Sequence, residues 1–280
     1  MTISRRELAG AALIGGAAIV GGADARPAKG AREHGPRPDP SGAYIKQVKG
    51  GERIAMIAYP GCTALDLLGP HWFLKTMRGA KVDIVAATRD PVQCDRDVTI
   101  LPNLSFDEVP AEIDLLFVPG AGFATLAAID DPRLLDFVAD RGGRARYVGG
   151  ICTGVMVLGA AGLLQGYRAT AHWQLRDACL PAFGATPVNA RFVEDRNRLT
   201  GAGVTAGLDF GLNVARKLRG ADNARLVQLL AEYDPQPIYD SGSPDTAWPE
   251  TVKTVKDMLP GFNQKVIEIG RRRLEARNRG

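Results

Sequence analysis

Cys152 occupies a position in the sequence where a cysteine can act as a nucleophile. It follows the apolar segment 146–151 and precedes the apolar segment 153–164, which predicts a strand, a sharp turn and then a helix. The N-terminus of that helix would favour the thiolate, because its unpaired N–H groups and its dipole stabilise negative charge. The alternative is a structural cysteine, since cysteine is among the most buried residue types. The small neighbours Gly150 and Gly154 permit a sharp turn, and we therefore favour the nucleophile.

Asp66 is the acidic residue that the sequence pairs with this thiol. It stands among leucines in segment 64–70, shortly after the apolar run 53–59, and an aspartate in such surroundings is costly to bury without a partner or a function. The alternative is an N-cap of the following helix, where aspartate is common. If the strands are parallel, Asp66 and Cys152 emerge at the same edge of the sheet, which favours a functional role. Two anions a few Å apart do not both ionise readily, so the pair is predicted to share a proton.

A short glycine-containing loop, residues 119–122, follows the third apolar run, residues 114–118. The backbone N–H groups of Gly120 and Ala121 are predicted to face the negative charge that develops on a substrate, as in an oxyanion site. The alternative is a simple tight turn without any role in binding.

The other histidines and cysteines carry weaker signals. His172 precedes Trp173 and could act as a base beside an aromatic ring, but a single histidine is more often structural, and we favour that interpretation. Cys62, Cys94 and Cys179 lack the strand–turn–helix context. In an oxidising compartment two of these three could form a disulfide, and the sequence leaves the pair open. No CxxC pair and no histidine pair with zinc-ligand spacing occurs, so no metal site is predicted.

Alternating strands and helices must position these residues. Continuous apolar runs are typical of strands buried on both faces, and they occur at 53–59, 82–87, 114–118 and 146–151. Helical segments are predicted between and after them, at 65–77, 132–141, 153–164, 205–218, 222–233 and 251–258. The alternation predicts an α/β fold with a mostly parallel sheet covered on both faces. Residues at the carboxyl ends of the strands then collect at one edge.

The first 25 residues are predicted to be a twin-arginine export signal. Arg5 and Arg6 precede the apolar run 8–20, and small residues at 23–25 provide a cleavage site near Ala25. The apolar run is too short and too glycine-rich to span a bilayer well, so no stable membrane anchor is expected. The mature protein is therefore predicted to be periplasmic.

The composition of the 280 residues is that of a globular protein, with 24% charged and 45% hydrophobic residues. The net charge of +4 is mild, and no Lys/Arg-dense block is interleaved with aromatics, so no nucleic-acid partner is predicted. Residues 26–50 are polar and rich in Pro and Gly, which indicates a linker or a surface wrap. The folded domain is predicted at 51–247, followed by a helical C-terminal tail at 248–280.

Several motifs together resemble the ThiJ/PfpI superfamily, and within it the isocyanide hydratases. The likeness covers about residues 53–247 and is most specific between Cys152 and Trp173. It rests on the segments 65–71 (LDLLGPH), 117–120 (FVPG), 151–154 (ICTG), 158–166 (LGAAGLLQG), 168–173 (RATAHW), 200–210 (TGAGVTAGLDF) and 243–247 (SPDTA).

The resemblance implies a three-layer α/β/α, flavodoxin-like fold with a cysteine nucleophile elbow, a homodimer and no cofactor. It implies that Cys152 is the nucleophile, that Asp66 is its acidic partner and that Thr153 lines the site. Many other members place a catalytic histidine near the cysteine, and Thr153 after the cysteine argues against a Cys–His protease. Ala121 stands where the family's loop usually has a second glycine.

The activity that the resemblance implies is the hydration of a small isocyanide to an N-substituted formamide. The terminal carbon of an isocyanide is electrophilic and must gain a proton as it is attacked, and a thiolate beside a protonated carboxylic acid supplies both needs. One alternative is a sensor domain like the amidotransferase-like part of some transcription regulators, although the tail after Ala247 is too short for a DNA-binding domain. Another alternative is a thiol-based stress protein that acts on oxidants or reactive carbonyls.

Overall fold

The structure is a computed structural model that describes residues 50–279. The predicted export signal, residues 1–25, lies outside the described residues, as does the predicted linker, residues 26–50, except for Gly50. Both stay predictions.

The described residues contain eleven β-strands and eight α-helices, numbered here in chain order. The strands are β1 (Arg53–Ile57), β2 (Lys81–Ala86), β3 (Val92–Gln93), β4 (Thr99–Ile100), β5 (Leu104–Ser105), β6 (Leu115–Val118), β7 (Tyr147–Ile151), β8 (Arg168–Ala169), β9 (Thr186–Pro187), β10 (Phe192–Asp195) and β11 (Arg198–Gly201). The helices are α1 (Ala64–Thr76), α2 (Thr125–Ala128), α3 (Pro132–Arg144), α4 (Gly154–Ala160), α5 (Trp173–Cys179), α6 (Ala206–Leu230), α7 (Pro249–Asp257) and α8 (Phe262–Arg279).

Seven strands form the central sheet, in the order β10-β11-β7-β6-β1-β2-β5. Every neighbouring pair in it is parallel except β10–β11. All four residues of β6 and the last four of β1 are buried, as expected of continuous apolar strands covered on both faces. The predicted, mostly parallel sheet is therefore confirmed.

Two consecutive glycines of β7 show that helices cover both faces of this sheet. Successive strand residues point to opposite faces. A Cβ atom added at Gly149 would lie 2.5 Å from the Phe210 ring of α6, whereas one added at Gly150 would lie 2.8 Å from the Leu158 side chain of α4. Helices α6 and α4 therefore pack on opposite sides of β7, and the predicted three-layer α/β/α arrangement is confirmed.

The sheet order brings three loops together at one edge. Strands β7, β6 and β1 are parallel neighbours, so their carboxyl ends at Ile151, Val118 and Ile57 lie side by side. The residues that follow these ends include Cys152, Gly120 and Asp66, although the sequence separates them by up to 86 positions (152 − 66).

Two glycines set helix boundaries, one of which differs from the sequence expectation. Helix α4 ends at Ala160 instead of continuing to residue 164, because Gly162 adopts φ 79° and turns the chain out of the helix. Element α6 consists of two helices that meet at Gly220, whose backbone is non-helical (φ 84°, ψ 172°), so the break predicted between segments 205–218 and 222–233 is confirmed. The apolar run 158–164 conceals the first boundary, since hydrophobic pattern alone does not report backbone conformation.

The tail after residue 247 folds into α7 and α8. Phe262 and Val266 of α8 are buried. Arg273 of α8 donates to the carbonyl of Ile129 at the end of α2 (2.9 Å), and Arg277 donates to the carbonyl of Ala160 at the end of α4 (2.8 Å). Cationic side chains thus satisfy the carboxyl ends of two helices. Within residues 50–279, no helix has the length and apolar character needed to cross a membrane.

Candidate active site

Cys152 forms the turn between β7 and α4. Its backbone has φ 55°, an uncommon value for a residue with a side chain. The conformation is held by the Cys152 N–H, which lies 3.1 Å from the carbonyl oxygens of both Gly201 and Ala202. Only 5% of the residue is exposed. The strand, turn and helix of the predicted elbow are therefore present, and they hold the thiol at the carboxyl edge of the sheet.

Asp66 lies in the first turn of α1 and is fully buried. Its Oδ2 atom accepts a hydrogen bond from the N–H of Gly120 (2.9 Å). It is not the N-cap of α1, because Thr63 holds that position and the carboxylate of Asp95 accepts from the N–H of Ala64 (2.8 Å). With capping assigned to other residues, the reason for burying this carboxyl lies in the groups that surround it.

Gly120 is the point where these groups converge. A Cβ atom added there would lie 2.8 Å from Oδ2 of Asp66, 2.8 Å from Oγ1 of Thr153 and 2.9 Å from Cβ of Cys152. Only glycine leaves room for the three side chains to approach one another. The structure therefore brings together Asp66, Cys152 and Thr153, which the sequence analysis singled out separately.

Burial raises the pKa of Asp66 to about 7, partly opposed by hydrogen bonds from Gly120 and with Cys152. Its second oxygen, Oδ1, is buried and has no hydrogen-bond partner. Burial, and then the charge of Asp66, raise the pKa of the Cys152 thiol. The backbone N–H groups of Thr153 and Val204 act in the opposite direction and favour the thiolate.

These pKa shifts show that a negative charge on Asp66 and one on Cys152 disfavour each other. An ionised Asp66 opposes the Cys152 thiolate, whereas a protonated Asp66 removes that repulsion and leaves the two N–H groups to stabilise the sulfur. The arrangement suits a pair that holds one proton between them. Such a pair can attack with sulfur and deliver a proton from the carboxyl within one site.

We expect the raised pKa of Asp66 to make protein stability depend on pH. An unfolded aspartate has a pKa of about 3.9, and the folded value is about 7. Between these values the folded state holds a proton that the unfolded chain releases, so the contribution of this group falls as the pH rises from about 4 to about 7. Asp66→Asn removes the titration, and the variant should gain stability over wild type by a few kcal/mol across this window.

Thermal unfolding followed by circular dichroism between pH 5 and 8.5 measures this difference. The melting temperature of Asp66→Asn minus that of wild type should rise with pH and level off above about pH 8. Asp107→Asn, which changes an exposed carboxylate, is the matched control and should follow wild type throughout. A pH-independent difference for Asp66→Asn would contradict the raised pKa.

The hydroxyl of Thr153 is held from two sides. It accepts from the N–H of Ala121 (2.9 Å) and from the hydroxyl of Thr125 (2.6 Å), and Thr125 is fully buried. With two hydrogen bonds accepted, the proton of the Thr153 hydroxyl is available for donation. Thr153 therefore lies in the site with a fixed orientation and a donor to offer.

The loop amides predicted to bind an oxyanion have partners within the protein. The N–H of Gly120 donates to Asp66, and the N–H of Ala121 donates to Thr153. In this geometry they orient the two side chains. The oxyanion role of Gly120 and Ala121 stays a prediction.

Three residues of the site were missed by the sequence analysis. The hydroxyl of Tyr59, which is buried, donates to the carbonyl of Pro119 (2.6 Å) and so fixes the loop that carries Gly120. Thr125 orients Thr153, and Val204 directs an N–H group at the sulfur. Of these, only Tyr59 carried a signal, as a hydroxyl at the carboxyl end of an otherwise apolar strand run.

His172 has a structural role. It is the N-cap of α5, where its Nδ1 atom accepts from the N–H of Gln174 (3.3 Å). The backbone N–H of His172 donates to the carbonyl of Cys152 (3.3 Å). Burial lowers the pKa of its imidazole. These contacts support the structural interpretation, because His172 stabilises the turn that carries the Cys152 thiol.

Within residues 50–279, no group of three or more His, Cys, Asp or Glu side chains is arranged to hold a metal ion.

Comparison with known proteins relates this chain to a family. The DJ-1/PfpI family profile matches residues 52–217. Among curated proteins, an isonitrile hydratase of Pseudomonas putida is 45% identical over 196 residues, which cover 70% of this chain and 84% of that protein. Isonitrile is a synonym of isocyanide.

Solved structures agree with this relationship. A ThiJ/PfpI family protein from Pseudomonas syringae superposes with a TM-score of 0.80 at 46% identity, covering 84% of this chain and 97% of that one. Drosophila melanogaster DJ-1beta superposes with a TM-score of 0.58 at 21% identity, covering 66% of this chain and 100% of that one. The second likeness concerns the fold alone.

Proposed function

This chain belongs to the DJ-1/PfpI family, and on that premise we propose that it hydrates a small isocyanide to an N-substituted formamide. Cys152 is the nucleophile and Asp66 is the general acid and base. The observation that carries the proposal is the convergence of a thiol and a buried, proton-holding carboxyl on Gly120. The 45% identity to an isonitrile hydratase supports the choice of substrate class.

The first half of the reaction forms a covalent intermediate. The thiolate of Cys152 attacks the terminal carbon of the isocyanide, and Asp66 gives its proton to that same carbon. The product is a thioimidate, in which the carbon carries sulfur, hydrogen and a double bond to nitrogen. Asp66 is left as a carboxylate. Its unpartnered Oδ1 atom supports this assignment, because a proton on that oxygen has no other acceptor to hold it.

The second half consumes one water molecule. The water oxygen adds to the thioimidate carbon while one of its protons reaches the nitrogen, with the Asp66 carboxylate assisting. The carbon–sulfur bond then breaks and returns the thiolate, and the remaining hydroxyl proton passes to Asp66 as the formamide carbonyl forms. Water is the sole co-reactant, and both catalytic residues regain their starting protonation states.

The direct experiment is formamide production by the purified mature protein, followed by ultraviolet absorbance with a para-substituted phenyl isocyanide. Turnover that depends on Cys152 supports the proposal. If no formamide appears while Cys152 reacts readily with thiol reagents, the hydratase assignment fails and the nucleophile remains. Oxidation of Cys152 by peroxide without isocyanide turnover would instead favour a thiol stress protein or sensor.

We propose that the protein is a homodimer that associates through α1. Three large apolar side chains on this helix are exposed at helical spacing: Leu65 (47%), Leu68 (42%) and Trp72 (41%). A second copy of this chain would cover them.

Light scattering of the purified protein should give twice the chain mass, and Leu68→Asp should give monomers. Leu229→Asp, at an apolar residue of α6 that is 79% exposed, is the control and should leave the dimer intact. A wild-type protein of single-chain mass would refute the dimer.

We propose export to the periplasm by the twin-arginine route, with cleavage near Ala25. The adjacent Arg5 and Arg6 before an apolar run support it. Changing both arginines to lysine should leave uncleaved precursor in the cytoplasm, as measured by fractionation and immunoblotting. Undiminished periplasmic delivery of that variant would rule the route out.

A further inference from the structure

Two buried cysteines outside the catalytic pair lie in contact. The sulfur atoms of Cys62 and Cys94 are 3.3 Å apart, and both are present as thiols. Cys62 lies between β1 and α1, and Cys94 lies on the hairpin of β3 and β4. We propose that Cys62 and Cys94 are a disulfide site, which an oxidant converts into an intramolecular cross-link beside the catalytic acid.

The backbone holds these sulfurs in position from both sides. The N–H of Gly61 donates to the carbonyl of Gln93 (2.8 Å), and the N–H of Asp95 donates to the carbonyl of Cys62 (2.9 Å). Each cysteine thus has a neighbour bonded across the gap. These two hydrogen bonds fix the two loops in register, and the sulfur atoms of Cys62 and Cys94 already face each other.

Little movement is needed to form the bond. A disulfide has an S–S distance of about 2.05 Å, so the 3.3 Å separation must close by roughly 1.2 Å. Side-chain rotation about the Cα–Cβ bonds supplies displacements of this size. By contrast, Cys179 lies near the carbonyl of Asn263, and Cys152 is engaged with Asp66.

Hydrogen peroxide can serve as the oxidant that forms the disulfide, and the reaction then balances. The Cys94 sulfur attacks the peroxide oxygen, breaks the O–O bond and becomes a sulfenic acid as one water leaves. The Cys62 sulfur then attacks the Cys94 sulfur and releases a second water. Two thiols and one peroxide give one disulfide and two waters. We assign the first step to Cys94, because it is 6% exposed whereas Cys62 is fully buried.

The reaction should be slow in the folded protein. Burial raises the pKa of both thiols, so the reactive thiolate is scarce at neutral pH. Once formed, the cross-link closes a loop from residue 62 to residue 94 that contains all of α1 and hence Asp66. The cross-link also joins α1 to the hairpin of β3 and β4. Asp95 of this hairpin already accepts a hydrogen bond from the N–H of Ala64 at the start of α1.

The test uses the mature protein with Cys152→Ala, so that peroxide cannot act on the elbow thiol. Of the three remaining cysteines, two should be lost to thiol titration after oxidation, and a non-reducing digest should yield one cross-linked peptide containing Cys62 and Cys94. The melting temperature should rise by about 3–10 °C and return on reduction. Adding Cys94→Ser should abolish the cross-link and the rise, whereas adding Cys179→Ser should change neither.

Three thiols that remain titratable after prolonged oxidation would overturn the proposal, as would a cross-link between any other pair. The same digest of oxidised wild-type protein provides a second measurement if Cys152→Ala folds poorly, since oxygen added to Cys152 and a cross-link at Cys62 differ in mass. None of these measurements involves isocyanide turnover. A protein without hydratase activity can therefore still form this disulfide, and an active one can fail to form it.

Discussion

Cys152→Ser should lower isocyanide turnover by about 10⁴-fold or more, because removal of an activated nucleophile commonly has effects of that size. A serine hydroxyl ionises far less readily than a thiol and needs a neighbouring general base. Asp66 does not provide that base while it holds a proton, and its pKa of about 7 keeps it substantially protonated at neutral pH. His172 does not provide it either, since its Nδ1 atom is engaged at the start of α5.

Rates of formamide production under single-turnover conditions, with enzyme in excess, give the cleanest measure of this loss. The variant should keep the wild-type circular dichroism spectrum, because serine has nearly the same shape as cysteine and the turn at φ 55° is held by backbone hydrogen bonds. A serine variant that retained about a tenth of the wild-type rate would exclude a covalent role for this residue.

Asp66→Asn should lower kcat by about 10²–10⁴-fold, the usual contribution of a positioned general acid. The amide can keep the hydrogen bond from the Gly120 N–H through its oxygen. Its NH₂ group would then stand where Oδ1 now lies, and an amide does not deliver a proton to the isocyanide carbon. The loss should therefore appear in kcat, with a protein that is folded and, above about pH 7, more stable than wild type.

Thr153→Val is the matched control for this experiment. It also changes a buried polar side chain at Gly120, but it takes from the reacting groups only the one hydrogen bond that the Thr153 hydroxyl can donate, commonly about 0.5–1.5 kcal/mol. That corresponds to roughly a two- to tenfold loss of rate. The two hydrogen bonds that this hydroxyl accepts, from Ala121 and Thr125, are lost as well and bear on folding. If Thr153→Val and Asp66→Asn were equally impaired, the carboxyl would be acting by packing and not by proton transfer.

The sequence predicts the sheet and its reactive edge because both depend on pattern. Apolar runs of strand length, separated by helical segments, specify a parallel sheet, and a parallel sheet brings residues such as Asp66 and Cys152 to one side. The sequence does not predict the contacts made by the Gly120 and Ala121 amides. Those contacts depend on how two loops from different strands fold against each other, which hydrophobic pattern does not encode.

The partner of Cys62 illustrates the same limit. Cysteine types and positions leave three pairings open among Cys62, Cys94 and Cys179. The pairing is decided by backbone hydrogen bonds between the 61–62 and 93–95 segments, which arise only when the short hairpin of β3 and β4 folds back onto the start of α1. The role of Tyr59 is equally hidden in the sequence, because its hydroxyl acts by donating to the carbonyl of Pro119, sixty positions away.

The contact between Arg277 and Ala160 has a consequence for the order in which the protein is made. The two residues are 117 positions apart, and at about 5–20 residues per second a ribosome needs roughly 6 to 23 s to add that length. During this interval helix α4, with Cys152 just before its first turn, has been synthesised but lacks the side chain that satisfies its last carbonyls. Cys152 is thus synthesised well before the residue that completes the carboxyl end of helix α4.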